Sequence, residues 1–281
     1  MLARLSRAVL TMAIGASAGF AAPLIGHASG VVVTIPAQMV MSTSTVEVEF
    51  PVTVTCDNLG AISSYVYGHI DQAKTGATGS SSLSPIVCDG QAHTYLLHVF
   101  ADQTPFAPGS VNASATATEY GQYNQTITGS ASGSSQLAQG SVDVAANVTT
   151  SYTQNHYLVE IGAQATLQYR YTHGNGFAAA FVPATITCTL GPYGYQPFVT
   201  LDLEAAHGSA VATGYSPEQF NNFPVPVCDG TPHTYVYQIA LNPGINPGTA
   251  SVSIYVEDSN GQPQWPTRNA DGVRTVALQN G

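Results

Sequence analysis

Charged side chains are scarce in this chain of 281 residues, because Asp, Glu, Lys and Arg together make up only 8% of it. An average soluble protein contains roughly 25%. The six basic residues are Arg4, Arg7, Lys74, Arg170, Arg268 and Arg274. After the first two they are scattered far apart, whereas nucleic-acid binding needs clustered Lys and Arg to neutralise phosphates. The sequence therefore argues against nucleic acid as a partner.

Apolar residues at helical spacing are also lacking beyond the first 30 residues. Apolar and polar residues instead alternate, as in VEVEF at 46–50, which is typical of β-strands. Glycine and proline interrupt such runs roughly every 8–12 residues, as they do in β-sandwiches. In the first half of the chain we predict strands near residues 31–35, 45–56, 62–70, 84–88, 93–100, 110–119 and 124–137. The Gly/Ser-rich stretch 79–82 is predicted to be a mobile loop or hairpin.

Residues 1–28 are predicted to be a secretory signal peptide. A basic start with Arg4 and Arg7 is followed by an apolar stretch up to Phe20 and by small residues near Ala28. An uncleaved membrane anchor is the alternative, but the Gly and Ala content of the segment favours cleavage. We expect the mature chain to be secreted, extracellular or loosely attached to a cell surface, with no membrane span. Loss of the two arginines changes the net charge from −10 to −12.

Four cysteines lie beyond this segment, where an oxidising compartment would let disulfides persist. Three pairings are possible for four cysteines. Two blocks that contain them are repeated in the sequence. FPVTVTC at 50–56 returns as VPATITC at 182–188, and VCDGQAHTY at 87–95 returns as VCDGTPHTY at 227–235, with seven of nine positions identical. A later Pro-Gly pair recurs as well, which indicates that the repeated unit is a whole domain.

We therefore predict a first domain over residues 31–138, a junction over 139–154 and a second domain over 155–279. Equivalence between the two copies then decides which cysteines are joined. The predicted disulfides are Cys56–Cys88 and Cys188–Cys228. Each would close a loop whose entropy is worth roughly 3–4 kcal/mol, so reduction is expected to unfold both domains.

The Thr-x-Thr-Cys strand, the Cys-x-Gly-x-x-His-Thr block and the later Pro-Gly resemble small immunoglobulin-like domains of secreted actinobacterial proteins. The resemblance covers nearly all of the chain after the signal. It implies two tandem immunoglobulin-like β-sandwich domains, each with one internal disulfide, and it implies export. It implies no activity, because the matching motifs are structural.

His93 and His233 occupy the same place in the two copies, each five residues after a cysteine. A pair of catalytic histidines is one hypothesis. The other is structural, because Asp-Gly forms a tight turn and the histidine that follows can hydrogen-bond the loop. The structural hypothesis is favoured, since both copies would need it.

The sequence assigns no catalytic residue, no metal site and no cofactor. The histidines form no pairs at the spacing of metal ligands, and the cysteines are assigned to disulfides. Gly-x-Ser-x-Gly, the signature of a serine nucleophile, does not occur after the predicted signal. Asp202 and Glu204 could be the carboxyl pair of a glycosidase, but a solvated strand edge explains them as well. We predict that the protein is not an enzyme.

The two predicted domains differ most between their cysteines, where the separation is 40 residues in the second and 32 in the first. The longer segment gains Tyr193, Tyr195, Tyr215, Phe220 and Phe223. Aromatic rings can stack on sugars or anchor a protein partner. The alternative is that the longer loop folds over its own sheet and buries them.

Two functions are compatible with these observations. The leading hypothesis is a secreted, non-catalytic module that binds a cell-surface glycan or protein through the aromatic segment. The alternative is a structural or self-associating cell-surface protein, which low charge and unpaired strand edges would suit.

Overall fold

The computed structural model describes residues 26–28, 30–57, 63–122, 125–149, 154–172, 175–192, 198–208, 210–215, 226–241, 245–257 and 270–281. The regular elements in these ranges are β-strands, which confirms the predicted all-β class. No helix within these residues is long and apolar enough to cross a membrane. The strands form two sheets, one within residues 26–140 and one within 143–280.

The first sheet contains nine strands. They are β1 (Gly26–Ala28), β2 (Val31–Thr34), β3 (Gln38–Ser42), β4 (Glu47–Cys56), β5 (Ser63–Gln72), β6 (Ala77–Leu83), β7 (Ala92–Ala101), β8 (Gly109–Tyr120) and β9 (Thr126–Gly140). Their order is β1-β2-β4-β3-β9-β8-β5-β6-β7, and β4 also pairs with β7, so that the ladder closes on itself. β1 lies in the segment that the sequence predicts to be a signal.

The second sheet contains ten strands. They are β10 (Asp143–Val144), β11 (Ala146–Thr149), β12 (His156–Ile161), β13 (Gln164–Thr172), β14 (Asn175–Thr189), β15 (Phe198–His207), β16 (Ala210–Tyr215), β17 (Asp229–Leu241), β18 (Gly248–Glu257) and β19 (Gly272–Asn280). Their order is β10-β19-β18-β15-β16-β17-β14-β12-β11, and β13 pairs with both β14 and β19. The two shortest strands, β10 and β11, come from the stretch predicted to be a junction and pair with β19 and β12.

The two sheets follow the same pairing plan. β4 pairs antiparallel with β7 as β14 pairs with β17, and β3 runs parallel to β9 as β13 runs parallel to β19. Residues at the same place in the two plans are called corresponding residues below. For example, Glu47 lies opposite Phe100 in the first sheet, and Ala179 lies opposite Ala240 in the second.

The structure corrects one sequence prediction in the first sheet and decides between the alternatives of another. Residues 84–88 are not a strand, because the hydroxyl of Ser64 donates to Ile86 O at 2.7 Å and accepts from Ile86 N–H at 3.1 Å. The stretch 79–82 is part of β6, which forms a hairpin with β5, so the hairpin is confirmed and the mobile loop is not. A side chain at Gly79 would collide with the carbonyl oxygen of Phe100, so glycine lets β6 approach β7 closely. β3 was not predicted at all.

A proline occurs in the middle of β14 without breaking its ladders. On one side of β14, β12 pairs with the residues from Ala184 onward, and β13 pairs with the residues up to Phe181. Pro183 lies between these two paired stretches. Its carbonyl oxygen accepts a hydrogen bond from Gly162 N–H at 2.7 Å. Because the N–H and C=O of one strand residue point the same way, the N–H that proline lacks would face this gap. The repeated proline therefore marks the change of partner strand.

Each sheet encloses its own apolar core. Along β4, alternate side chains point inward, and Val48, Phe50, Val52 and Val54 are fully buried. Burying a side chain of the size of Phe50 contributes about 1.5–3 kcal/mol. The alternation that predicted a strand in the sequence is thus the alternation between core and surface.

The second core contains a buried polar atom at a position where the first core has an apolar side chain. The hydroxyl of Tyr237 is buried without a hydrogen-bond partner in the described part of the chain, and burial raises its pKa. The corresponding residue of the first sheet is Leu97, which is fully buried. Tyr237→Phe should raise the free energy of unfolding by about 1–3 kcal/mol, because an unpaired buried polar group costs that much. Urea denaturation of the two proteins measures it.

Tyr235→Phe is the matched control for this change. The Tyr235 hydroxyl accepts a hydrogen bond from Val227 N–H at 2.8 Å, so its removal should lower stability. If both variants lose stability alike, the unpaired hydroxyl of Tyr237 is not a cost to the fold.

Candidate binding surface

The repeated Val-Cys-Asp-Gly block forms a turn that leads into β7. Asp89 accepts a hydrogen bond from Gln91 N–H at 2.9 Å, and its carboxylate lies 2.8 Å from His93 Nε2. These two bonds, the one to His93 foremost, lower the pKa of Asp89. Gly90 has a φ of 79°, which glycine adopts without strain, and its N–H donates to Cys56 O at 2.9 Å.

The second sheet repeats this turn. Asp229 accepts from the hydroxyl of Thr231 at 2.6 Å and from its N–H at 2.9 Å, and it lies 3.0 Å from His233 Nε2. These bonds lower the pKa of Asp229 to about 2, the Thr231 hydroxyl having the largest effect. Both histidines therefore bond the carboxylate of their own loop, as the structural hypothesis expected.

All four cysteines are bridged, Cys56 to Cys88 and Cys188 to Cys228, as the repeat predicted. Within the described residues, Cys56, Cys88 and Glu119 form a group of potential metal ligands whose atoms lie within 4.8 Å of one another. The two sulfurs are bonded to each other, so neither is available as a thiolate ligand.

The second sheet packs against the first through one of its outer faces. The hydroxyl of Ser251, on β18, hydrogen-bonds the hydroxyl of Ser44 at 2.7 Å and donates to Glu47 Oε2 at 3.1 Å. Val211 N–H donates to Gln103 O at 2.7 Å. Ser251 is 0% exposed, so solvent is excluded from this contact.

An apolar cluster extends the same contact. Val273 is fully buried and lies in a cluster with Val142 and Ala270, against which Phe100 and Tyr255 pack. Phe100 belongs to the first sheet, whereas Val273 and Tyr255 belong to the second. The contact between the sheets therefore combines hydrogen bonds with buried apolar area.

Two buried acids from different sheets lie at this contact. Glu47 Oε1 is 2.9 Å from His98 Nδ1, and both side chains are buried. Glu204 Oε2 is buried, although part of the residue remains exposed, and it has no hydrogen-bond partner among the described residues. Burial raises the pKa of Glu204 well above its usual 4.5, and the carboxylates of Asp202, Glu47 and Asp102 raise it further.

The prediction of a solvated edge for Asp202 and Glu204 is wrong. Both residues lie on β15, which is an inner strand between β16 and β18. Glu204 lies opposite Ser251, the residue that bonds the first sheet. Sequence reasoning placed the two acids correctly on one strand face but had no signal for what covers that face.

Glu204 should make the stability of the protein depend on pH. Its pKa is higher in the folded protein than in the unfolded chain, so the folded state binds the extra proton. Stability is then greatest below the ordinary carboxyl pKa and is lost as pH rises through the raised pKa of Glu204. Glu204→Gln should flatten this decline and raise the melting temperature at alkaline pH, because no charge has to be buried.

Thermal unfolding of both proteins across a pH series measures this difference. Asp202→Asn is the matched control, because Asp202 stands on the same strand and acts on Glu204 only through its charge. It should reduce the decline without removing it. A melting temperature of the Glu204→Gln variant that falls with pH as steeply as in the parent protein would contradict the assignment.

The face that the second sheet uses for this contact is uncovered in the first sheet. In the second sheet, Ser251 and Ser253 are 0% and 2% exposed. Their corresponding residues Asn112 and Ser114 are exposed and half-exposed. We call the outer side of β5, β8 and β9 the open face; it consists of Tyr67, His69, Asp71, Asn112, Ser114, Thr116, Ser130, Ser132 and Ser134.

Tyrosines border the open face at one end. Tyr65 lies two residues before Tyr67 on β5, and its ring stacks on that of Tyr120 with centroids 6.1 Å apart and planes 28° apart. Tyr120 is 41% exposed. The surface therefore offers aromatic rings beside a field of hydroxyl and amide groups.

The aromatic segment predicted to bind a ligand is largely outside the described residues. Tyr193, Tyr195, Phe220 and Phe223 all lie there. Tyr215 is the last residue of β16, where its backbone pairs with Asp202 and Ala240. The ligand-binding role of these five residues therefore stays a prediction.

A cleft of about 490 Å³ lies beside the start of the second sheet, lined in part by Asp143, Glu160 and Arg274. Arg274 already pairs with Asp143 at 3.2 Å and donates to Ile161 O. The Arg274 side chain thus holds β10 against the sheet and is already paired. The open face is therefore the better candidate for binding.

No protein-family model matches the chain, and no curated protein sequence matches it.

Proposed function

We propose that this chain is an exported, non-catalytic protein of two immunoglobulin-like domains that binds a cell-surface glycan or protein through the open face of the first domain. The supporting observation is the unequal use of one face. In the second sheet this face is covered by the first sheet, whereas in the first sheet it is exposed. The two copies would then have separate roles. The second domain would use this face to contact the first domain, and the first domain would use it to bind the ligand.

The strand pairing supports an immunoglobulin-like sandwich. Such domains pair strands B and E in one sheet and strands C, F and G in the other. β4 and β7 form the first set, and β5, β8 and β9 form the second. β3 and β6 pair with strands of both sets, which links the two sheets into one closed ladder. The disulfides join β4 and β14 to the loops before β7 and β17, unlike the bridge between B and F in antibodies.

Two observations support export. The two disulfides fit an oxidising compartment. The N-terminal segment has the basic start and apolar stretch of a secretory signal.

A self-associating surface protein is the less favoured function. Chains could grow head to tail if the second domain offered the surface that the first uses to hold its neighbour. That surface includes Glu47 and Phe100, whose corresponding residues are Ala179 and Ala240. The second domain thus lacks the carboxylate and the ring on which the contact depends.

Binding of the purified mature protein to actinobacterial cell-wall preparations tests the proposed function. Asn112→Arg places a bulky cation at the centre of the open face and should weaken binding at least tenfold. Thr94→Arg is the matched control, because Thr94 is exposed on a strand of the same sheet away from this face. Equal binding of the two variants would show that the open face is not the binding surface.

A further inference from the structure

We propose that the ligand of the open face is an uncharged polysaccharide, whose hydroxyl groups hydrogen-bond the serine and threonine rows while its sugar rings stack on the bordering tyrosines. This inference rests on the proposed function and narrows it to one class of partner. Two observations support it. One is the chemistry of the open face, and the other is its difference from the face of the second sheet that contacts the first sheet.

The open face is a regular array of neutral polar groups. The ladder places Tyr67 beside Thr116 and Ser130, and in the next row it places His69 beside Ser114 and Ser132. Neighbouring strands are roughly 4.8 Å apart, and successive rows on one face are roughly 6.8 Å apart. Hydroxyl groups both donate and accept, so such an array can match the alternating donors and acceptors of a sugar chain.

The charge of the face selects against ionic ligands. Asp71 is its one carboxylate, and the face contains no Lys or Arg. Sulfated or phosphorylated polymers need cationic partners for tight binding. A cationic ligand would find a single exposed carboxylate, and exposed ion pairs contribute about 1 kcal/mol or less. A neutral ligand is therefore the best electrostatic match.

The corresponding face of the second sheet shows what a protein contact requires in this fold. Val273 and Tyr255 supply apolar area there and pack in one cluster with Phe100. Their corresponding residues on the open face are Ser132 and Thr116. Since protein interfaces bury an apolar core, replacement of both residues by hydroxyl groups disfavours a protein partner.

The tyrosines supply the apolar part of the interaction. Tyr65, Tyr67 and Tyr120 lie at one end of the array, and the Tyr65 and Tyr120 rings are stacked. A sugar ring presents C–H groups on its faces and hydroxyls on its rim, so it can lie on a tyrosine ring while its rim reaches the serines. Stacked rings are already ordered, which lowers the entropy cost of binding.

Sedimentation with insoluble cellulose, chitin and neutral β-glucan, and with a sulfated polysaccharide for comparison, tests this inference. We expect saturable binding to at least one neutral polymer, unchanged between low and high salt. Tyr67→Ala should weaken it about tenfold, the effect of roughly 1.4 kcal/mol. Val236→Ala is the control, because Val236 is a large exposed side chain of the second sheet, 57% exposed.

Cell-wall binding separates failure of this inference from failure of the proposed function. If the protein binds cell walls through the open face but binding is lost on protease treatment and survives periodate oxidation of the glycans, the ligand is a protein and this inference is wrong. Binding to the sulfated polymer alone also overturns it. Absence of binding to any cell wall or polysaccharide overturns both.

Discussion

Replacing Cys56 and Cys88 together with alanine is expected to lower the free energy of unfolding of the first sheet by about 3–4 kcal/mol. The bridge closes a loop of 32 residues, which restricts the unfolded chain. This loss is a large share of a domain's net stability, which is roughly 5–15 kcal/mol. Urea or guanidinium denaturation of the parent and variant proteins measures the loss as a shift in midpoint.

The second bridge provides the matched comparison. Cys188 and Cys228 close a loop of 40 residues, so their replacement should cost a similar amount. Because each bridge lies within one sheet, each variant should lower the unfolding transition of its own sheet most. Replacement of either pair without a shift in the denaturation midpoint would contradict the predicted stabilisation. So would a disulfide between the two sheets, if mass mapping of the non-reduced protein finds one.

The elements that sequence reasoning located are those in which local pattern and burial coincide. The alternation around Phe50 predicted a strand at 45–56, and the structure has one at Glu47–Cys56 because alternate side chains enter the core. The sequence does not predict β6 as a strand, because Gly79 and Ser81 occupy two of its inward positions. Small residues of these types are typical of loops. The place of β6 depends on contact with β7, which is distant in sequence.

The candidate surface could not be predicted for a related reason. Asn112 and Ser251 stand at the same place in the two sheets, and neither residue type shows in the sequence whether it is covered. Exposure is decided by the packing of one sheet on the other, and this depends on Glu47, Phe100 and Val273. The sequence contrast between the two halves pointed instead to the aromatic segment, most of which lies outside the described residues.

Glu47→Ala is expected to destabilise the protein by about 1–3 kcal/mol, because it removes one hydrogen-bond partner from each of two buried side chains, His98 and Ser251. Glu47 is 0% exposed, and its two carboxylate oxygens bond His98 at 2.9 Å and Ser251 at 3.1 Å. The substitution removes the carboxylate from His98 and also a hydrogen bond between the sheets. Denaturation reports the first loss, and the change in relative orientation of the sheets by small-angle scattering reports the second.

A double variant separates these two losses. Glu47→Ala combined with His98→Leu should recover most of the stability of the first sheet, because replacing both partners of a buried hydrogen bond with apolar side chains leaves neither of them unpaired there. Contact between the sheets should stay weakened, since the bond to Ser251 is still missing. If the double variant restores both stability and orientation, then the apolar cluster around Val273 holds the sheets together without help from Glu47.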